Sequence, residues 1–110
     1  MGATFFIGYP QDKDLHTTLN RTESDALEAL LDEALVGKYS HIHDIVMEML
    51  VLDQISFTEL SSSDFNTAIQ AVRNCLHSRN EPNEWQLYQK RIWEKELEPL
   101  MQQDDRYCGE

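Results

Sequence analysis

The chain has 110 residues and a formal net charge of −11 at pH 7, from 20 acidic and 9 basic side chains. A field of this sign repels nucleic acid and anionic membranes and attracts basic proteins, so we expect neither nucleic-acid nor membrane binding. Residues 1–110 are long enough for one core, which predicts a single domain. No apolar stretch approaches the roughly 20 residues that span a bilayer, and the N-terminus lacks a secretion signal. We therefore expect a cytoplasmic protein in which both cysteines, Cys75 and Cys108, are thiols.

The chain opens with a predicted strand. Residues 3–9 (ATFFIGY) are β-branched and aromatic, which favours a short strand or an extended arm. A partner strand is predicted at 54–58, where Ile55 and Phe57 alternate with polar residues. Residues 10–21 are polar and rich in turn formers, and they predict a connecting loop.

Two helices are predicted next, each from an apolar pattern with helical spacing. The first is expected to begin at Thr22, with Asp25 completing a capping box, and to end at Gly37. The second is expected to begin at Ser40 and to continue to Leu50. The repeating apolar positions are Leu27, Leu30, Leu31, Ala34 and Leu35, and then Ile42, Ile45, Val46, Met49 and Leu50.

Two further helices are predicted in the second half of the chain. The third begins at serines 61–63 and ends near Arg79, and the fourth has Pro82 in its first turn. Pro99 is expected to end or kink the fourth helix near Glu98, and residues 102–110 are expected to be frayed. Its aromatic residues, Trp85, Tyr88 and Trp93, are interpreted as core.

Together these elements predict a mostly α fold. We expect a compact bundle of about four helices with a short N-terminal strand or extended arm. The alternative is an α+β fold in which residues 3–9 pair with 54–58 in a small two-stranded sheet.

The acidic residues are concentrated in the middle of the chain. Residues 22–64 contain ten carboxylates and a single cation, Lys38, a balance of −9. On a helical wheel, Asp25, Glu28 and Asp32 share the face opposite the leucines, which predicts a surface for the arginines and lysines of a partner. The predicted partner-binding residues are Asp25, Glu28, Asp32, Glu33, Asp44 and Glu48.

Catalytic, metal and cofactor sites are not indicated. His41 and His43 lie two residues apart, which places them on different sides of a helix, and Asp44 alone does not complete a metal site. Ser61, Ser62 and Ser63 lie outside any nucleophile motif, and the four glycines are isolated rather than forming a phosphate loop. We therefore expect a binding protein without a cofactor rather than an enzyme.

The two acidic segments, TESDALEALLDEAL and SHIHDIVMEML, resemble the small acidic immunity proteins of bacterial toxin–immunity systems, such as those of contact-dependent growth inhibition and of colicins. The resemblance lies in size, charge and helical character. It implies tight binding to a basic cognate toxin domain, in the first place a nuclease. The acidic face would cover the active or substrate-binding site of that toxin.

Two other functions remain open from the sequence. The first alternative is an acidic adaptor or a DNA-mimic regulator, which would bind a DNA-binding protein and compete with duplex DNA. The second is a small enzyme or metal protein that uses His41, His43 and the nearby acids. The sequence leaves the oligomeric state and the dominant acidic face open.

Overall fold

The computed structural model describes residues 2–8 and 14–107. Its helices pack on one face of a small three-stranded sheet. The predicted mostly α class is confirmed, together with a sheet of the kind that the α+β alternative required. The elements are β1 (Ala3–Gly8), β2 (Leu15–Leu19), α1 (Arg21–Leu35), α2 (Ser40–Val46), a 3₁₀ turn (Leu50–Leu52), β3 (Gln54–Ser56), α3 (Ser62–His77) and α4 (Glu84–Ile92), which continues through a π-helical turn (Trp93–Leu97) into α5 (Glu98–Met101).

The sheet has the order β2-β1-β3, with β1 antiparallel to β2 and parallel to β3. The predicted pairing of the N-terminal strand with the 54–58 segment is confirmed, with Phe5 opposite Ile55. The predicted loop at 10–21 is wrong where the structure describes it, because Leu15–Leu19 forms strand β2. Residues 9–13, which include the predicted end of β1, lie outside the described part of the chain.

The two faces of the sheet have different environments because strand side chains alternate in direction. Phe5, Ile7 and Ile55 are fully buried on the helix side. Phe6 and Thr4 are only partly buried on the other face. The sheet therefore supplies the core on one side and a partly exposed surface on the other.

Helix α1 begins earlier than the sequence predicted. Its capping box is formed by Asn20 and Glu23 rather than by Thr22 and Asp25: Asn20 Oδ1 accepts from the Glu23 backbone N–H (2.8 Å), and Glu23 Oε1 accepts from the Asn20 N–H (2.9 Å). The helix ends as predicted before Gly37, whose φ of 103° favours glycine.

Helix α2 is shorter than its apolar pattern predicted. It ends at Val46 rather than at Leu50, and its N-cap is Tyr39 rather than Ser40. Ser40 instead uses its hydroxyl to accept from the Gly37 N–H, at 2.8 Å. The apolar residues after Val46 thereby leave the helix and enter a separate turn, which is described below.

Helix α3 has the predicted start, with Ser61 Oγ accepting from the Asp64 N–H at 3.1 Å. Helix α4 begins at Glu84 with Asn83 as its N-cap, so Pro82 precedes the helix instead of occupying its first turn. The aromatic prediction is correct for Trp93, which is fully buried, and wrong for Trp85, which is 42% exposed.

The end of α4 shows how the chain accommodates Pro99. A proline lacks the backbone N–H and crowds the carbonyl four residues earlier. Here the helical pattern widens over Trp93–Leu97, where the Glu98 N–H donates to the Trp93 carbonyl, and helix then continues to Met101. The predicted irregularity is present, but the chain remains helical beyond Pro99 and buries Met101.

The C-terminal segment is not frayed over residues 102–107, contrary to the prediction. Arg106 donates to the backbone carbonyls of Ile7 (2.7 Å), Phe57 (2.8 Å) and Leu60 (2.7 Å). Its guanidinium also pairs with the buried Asp104 at 2.8 Å. A sequence window could not anticipate these contacts, because the partners lie 46 to 99 residues away. Residues 108–110 lie outside the described residues.

We expect Arg106→Ala to lower the free energy of unfolding by about 3–5 kcal/mol, because it leaves a buried carboxylate and three carbonyls without their donor. Arg106→Lys keeps the charge but not the planar fork, and is expected to cost about 1–3 kcal/mol. Urea denaturation measures both, with Asp105→Asn, an exposed neighbour, as the control. A midpoint for Arg106→Ala equal to that of the control would contradict this role.

Candidate functional site

The acidic face of α1 lies opposite its buried leucines, as the helical periodicity predicted. Asp25 and Asp32 are exposed, and Glu28 is partly buried because its carboxylate accepts from the Ser24 hydroxyl at 3.0 Å. Asp25 has no ion-pair partner among residues 2–8 and 14–107. This face is therefore a surface of carboxylates with little compensation from the chain itself.

Helix α2 extends the same acidic surface. Asp44 and Glu48 are exposed, and neither has an ion-pair partner in the described part of the chain. The two helices are joined by His43, whose Nε2 lies 2.5 Å from Asp32 Oδ1. The contact fixes the position of Asp32 relative to α2, so this predicted residue has a structural partner as well as exposure.

Glu33 differs from the other predicted binding residues because it is held by α3 and the segment after it. Its carboxylate accepts from the Cys75 thiol (3.2 Å) and from Arg79 (3.1 Å). The Cys75 hydrogen bond lowers the pKa of Glu33 most strongly, burial opposes it, and Arg79 lowers the pKa further. Arg79 also donates to Gln89 on α4, so Glu33 ties α1 to two other helices.

Three arginines are used inside the protein. Arg73 pairs with Glu98 (2.5 Å), Arg79 with Glu33 (3.1 Å) and Arg106 with Asp104 (2.8 Å), and each guanidinium is mostly buried. Because these cations are paired with Glu98, Glu33 and Asp104, they do not offset Asp25, Asp44 or Glu48. The net charge of −11 is thus displayed mainly on the surface.

The sequence analysis missed an exposed apolar turn beside α2. Val51 is 87% exposed and Leu52 is 58% exposed, and Met49 is also exposed. The apolar spacing assigned Met49 and Leu50 to the buried face of a longer helix. The early end of α2 at Val46 leaves Met49 exposed, whereas Leu50 still packs against the core as predicted. Asp53, with a left-handed φ of 57°, then turns the chain into β3.

A groove of about 440 Å³ adjoins this turn. It is formed by the partly exposed face of β1 and β3, by α2 and the residues that follow it, and by the turn after β3. The residues lining it are Phe6, Ile45, Glu48, Met49, Gln54, Ser56, Thr58 and Glu59. Only Glu48 among them was predicted as a binding residue, since the pairing of distant segments creates the groove.

His41 and His43 each lie beside a carboxylate. His41 lies 3.7 Å from Asp64, and no group of three or more His, Cys, Asp or Glu side chains that could hold a metal occurs within residues 2–8 and 14–107.

Burial, followed by Glu33, raises the pKa of Cys75 to about 11, which disfavours the nucleophilic thiolate at neutral pH. The Cys75 side chain is partly buried. Cys108 lies outside the described residues.

Ionised Glu98 is expected to stabilise the fold, and this contribution to the free energy of unfolding should be lost in acid. Burial raises its pKa, but hydrogen bonds from Arg73 and Trp93 outweigh burial, so the pKa lies below the ordinary 4.5. This stabilisation is present above pH 4.5 and is lost as the pH falls through the folded-state pKa. We expect Glu98→Gln to reduce the free energy of unfolding at pH 7 and to flatten its decline below pH 4.5. Urea denaturation from pH 3 to 7 tests this, with the exposed Glu96→Gln as control; an unchanged acid limb in Glu98→Gln would contradict it.

The thiol of Cys75 gives a second prediction, measured in a Cys108→Ser chain. Alkylation by iodoacetamide at pH 8 is expected to be at least about ten-fold slower than for free cysteine, because little thiolate forms. Glu33→Gln should accelerate the reaction, since Glu33 helps to raise the Cys75 pKa. Glu28→Gln, on the same helix but away from Cys75, is the control. Equal rates in the two variants would show that Glu33 does not govern this thiol.

Two further observations bear on the kind of site. Within the part of the chain that the structure describes, no helix is long and apolar enough to cross a membrane. Comparison of the chain with protein-family models, with curated proteins and with solved structures gives no match in any of the three. The candidate site is therefore defined by its geometry: the acidic faces of α1 and α2, the apolar turn and the adjoining groove.

Proposed function

We propose that this chain is an acidic binding protein that neutralises a basic protein partner. The most specific form of the proposal is a cytoplasmic immunity protein that inhibits a cognate bacterial nuclease toxin. It would do so by covering the active or substrate-binding site of the toxin. The chain itself would carry out no catalysis and would need no cofactor.

The observation that supports this proposal most directly is the uncompensated surface charge of α1 and α2. Asp25, Asp44 and Glu48 are exposed and have no ion-pair partner among the described residues. Like charges on neighbouring surfaces repel one another, which costs stability that a cationic partner would recover. Solubility alone would be served equally well by acids distributed over the whole chain.

A nuclease partner satisfies the same physical requirement. An enzyme that holds phosphate needs a basic site, so an acidic protein surface is attracted to the region that binds the substrate. Opposite fields steer the two proteins together and raise the association rate, and this effect decreases with salt. An inhibitor benefits from fast association because it must reach the toxin before the toxin reaches nucleic acid.

The proposal is tested by affinity capture from cells of the source organism, at low and then at moderate salt. We expect one basic protein in a 1:1 ratio, with a nuclease activity that the purified chain inhibits on addition. Recovery of a DNA-binding protein that duplex DNA displaces would favour the DNA-mimic alternative instead. Absence of any retained basic protein would contradict the proposal.

The acidic surface can be tested on the captured partner by stopped-flow kinetics. We expect Asp25→Asn combined with Asp44→Asn to slow association by roughly a few-fold at low salt, because two steering charges are removed. The dependence of the rate on ionic strength should also become shallower.

The matched control is Glu94→Gln combined with Glu96→Gln. It makes the same change in net charge, but in the π-helical turn rather than on α1 and α2. This control should retain an association rate close to that of the parent chain. Equal slowing by the two double variants would show that net charge matters and that the α1–α2 surface does not.

A further inference from the structure

The groove beside α2 is lined by side chains suited to a long cationic side chain. Its volume of about 440 Å³ lies within the roughly 300–1,000 Å³ typical of ligand sites. Phe6 contributes a partly exposed ring from β1, and Ile45 and Met49 contribute apolar surface. Apolar side chains of this kind contact the methylene stem of an arginine, and an aromatic ring attracts its guanidinium.

The charged groups lining the groove are both carboxylates. Glu48 lies two residues beyond the end of α2 and Glu59 lies in the turn after β3, and neither has an ion-pair partner among the described residues. A planar guanidinium can donate to two carboxylates and to neutral oxygens at once. Ser56 Oγ and Thr58 Oγ1, which lie 2.7 Å apart, provide neutral oxygens in the same lining.

Backbone hydrogen bonds hold the adjoining apolar turn, residues 49–52, in a defined conformation. The backbone N–H groups of Leu52 and Gln54 both donate to the Met49 carbonyl, at 2.9 and 3.2 Å, and the Asp53 N–H donates to the Leu50 carbonyl at 2.9 Å. These bonds present Val51 and Leu52 to solvent. Clustered exposed apolar side chains are characteristic of interaction surfaces, and their fixed backbone reduces the entropy lost on binding.

From these observations we infer that the groove receives an arginine side chain of the basic partner, while Met49, Val51 and Leu52 contact an apolar side chain next to that arginine. This inference rests on the proposed function and identifies where the partner would be anchored. Charge complementarity selects the occupant, because the groove combines two carboxylates with an apolar lining. The acidic faces of α1 and α2 would then guide approach, whereas the groove and the turn would hold the bound partner.

The test uses the full chain and a synthetic peptide, acetyl-Leu-Arg-Leu-Gly-amide, titrated by ¹H–¹⁵N NMR. We expect the shift changes to centre on the backbone amides of Phe6, Met49 and Ser56. The analogue with citrulline in place of arginine has nearly the same shape but no charge, and it should bind about ten-fold more weakly. Equal binding of the two peptides, or shift changes centred on α1, would overturn the assignment of the groove.

Variants separate the groove from the general acidity of the chain. Glu48→Gln combined with Glu59→Gln should weaken peptide binding about five-fold, because both carboxylates of the groove lose their charge. Glu94→Gln combined with Glu96→Gln makes the same change in net charge and should leave the affinity within about two-fold. Equal weakening by the two pairs would overturn the inference.

The same variants distinguish a failure of this inference from a failure of the proposed function. A captured basic partner that dissociates at the same rate from the parent and from the Glu48→Gln, Glu59→Gln chain would overturn the groove assignment and leave the proposed function intact. Dissociation that is faster from that chain than from the Glu94→Gln, Glu96→Gln control would support the groove as the anchor. Peptide binding at the groove without any basic partner from the cell would support the groove and contradict the proposed function.

Discussion

The guanidinium of Arg106 is the interaction on which the rest of the structure depends. It donates hydrogen bonds to backbone carbonyls at the end of β1 and in the segment between β3 and α3. Its Cζ atom also lies 4.2 Å from the centroid of the Phe65 ring of α3. Asp104 balances its charge in a buried position. Gly8 leaves room for this pair, because a Cβ there would overlap the Asp104 carboxylate and displace it. One side chain near the C-terminus thereby fixes both the sheet and the start of α3.

The internal use of arginine also determines the character of the surface. Burying a carboxylate requires a cation or several donors, and Glu98 and Asp104 obtain theirs from Arg73 and Arg106. A cation committed to such a pair cannot screen distant carboxylates. The stability of the core and the negative field of α1 and α2 therefore have a common origin in the placement of a few arginines.

Local sequence patterns predicted the elements whose stability is decided locally. The leucine spacing identified α1, and Ser61 identified the start of α3. Patterns failed where distant residues decide: the three carbonyls that Arg106 binds lie 46 to 99 residues away, and β2 forms because β1 pairs with it. For the site, periodicity located Asp25, but it could not reveal that Glu33 is held by Arg79, 46 residues away. The 49–52 turn was missed because helical spacing does not report where a helix stops.

The early end of α2 has the largest consequence for a binding surface. A helix continuing to Leu50 would have turned Met49 toward the core on the pattern of Ile42 and Val46. Ending it at Val46 instead places an apolar turn directly beside exposed carboxylates. The two features act at different ranges, since charge attracts a partner over about a Debye length while apolar contact requires touching surfaces. A surface with both can combine fast association with slow dissociation, which neither charge nor apolar area alone provides.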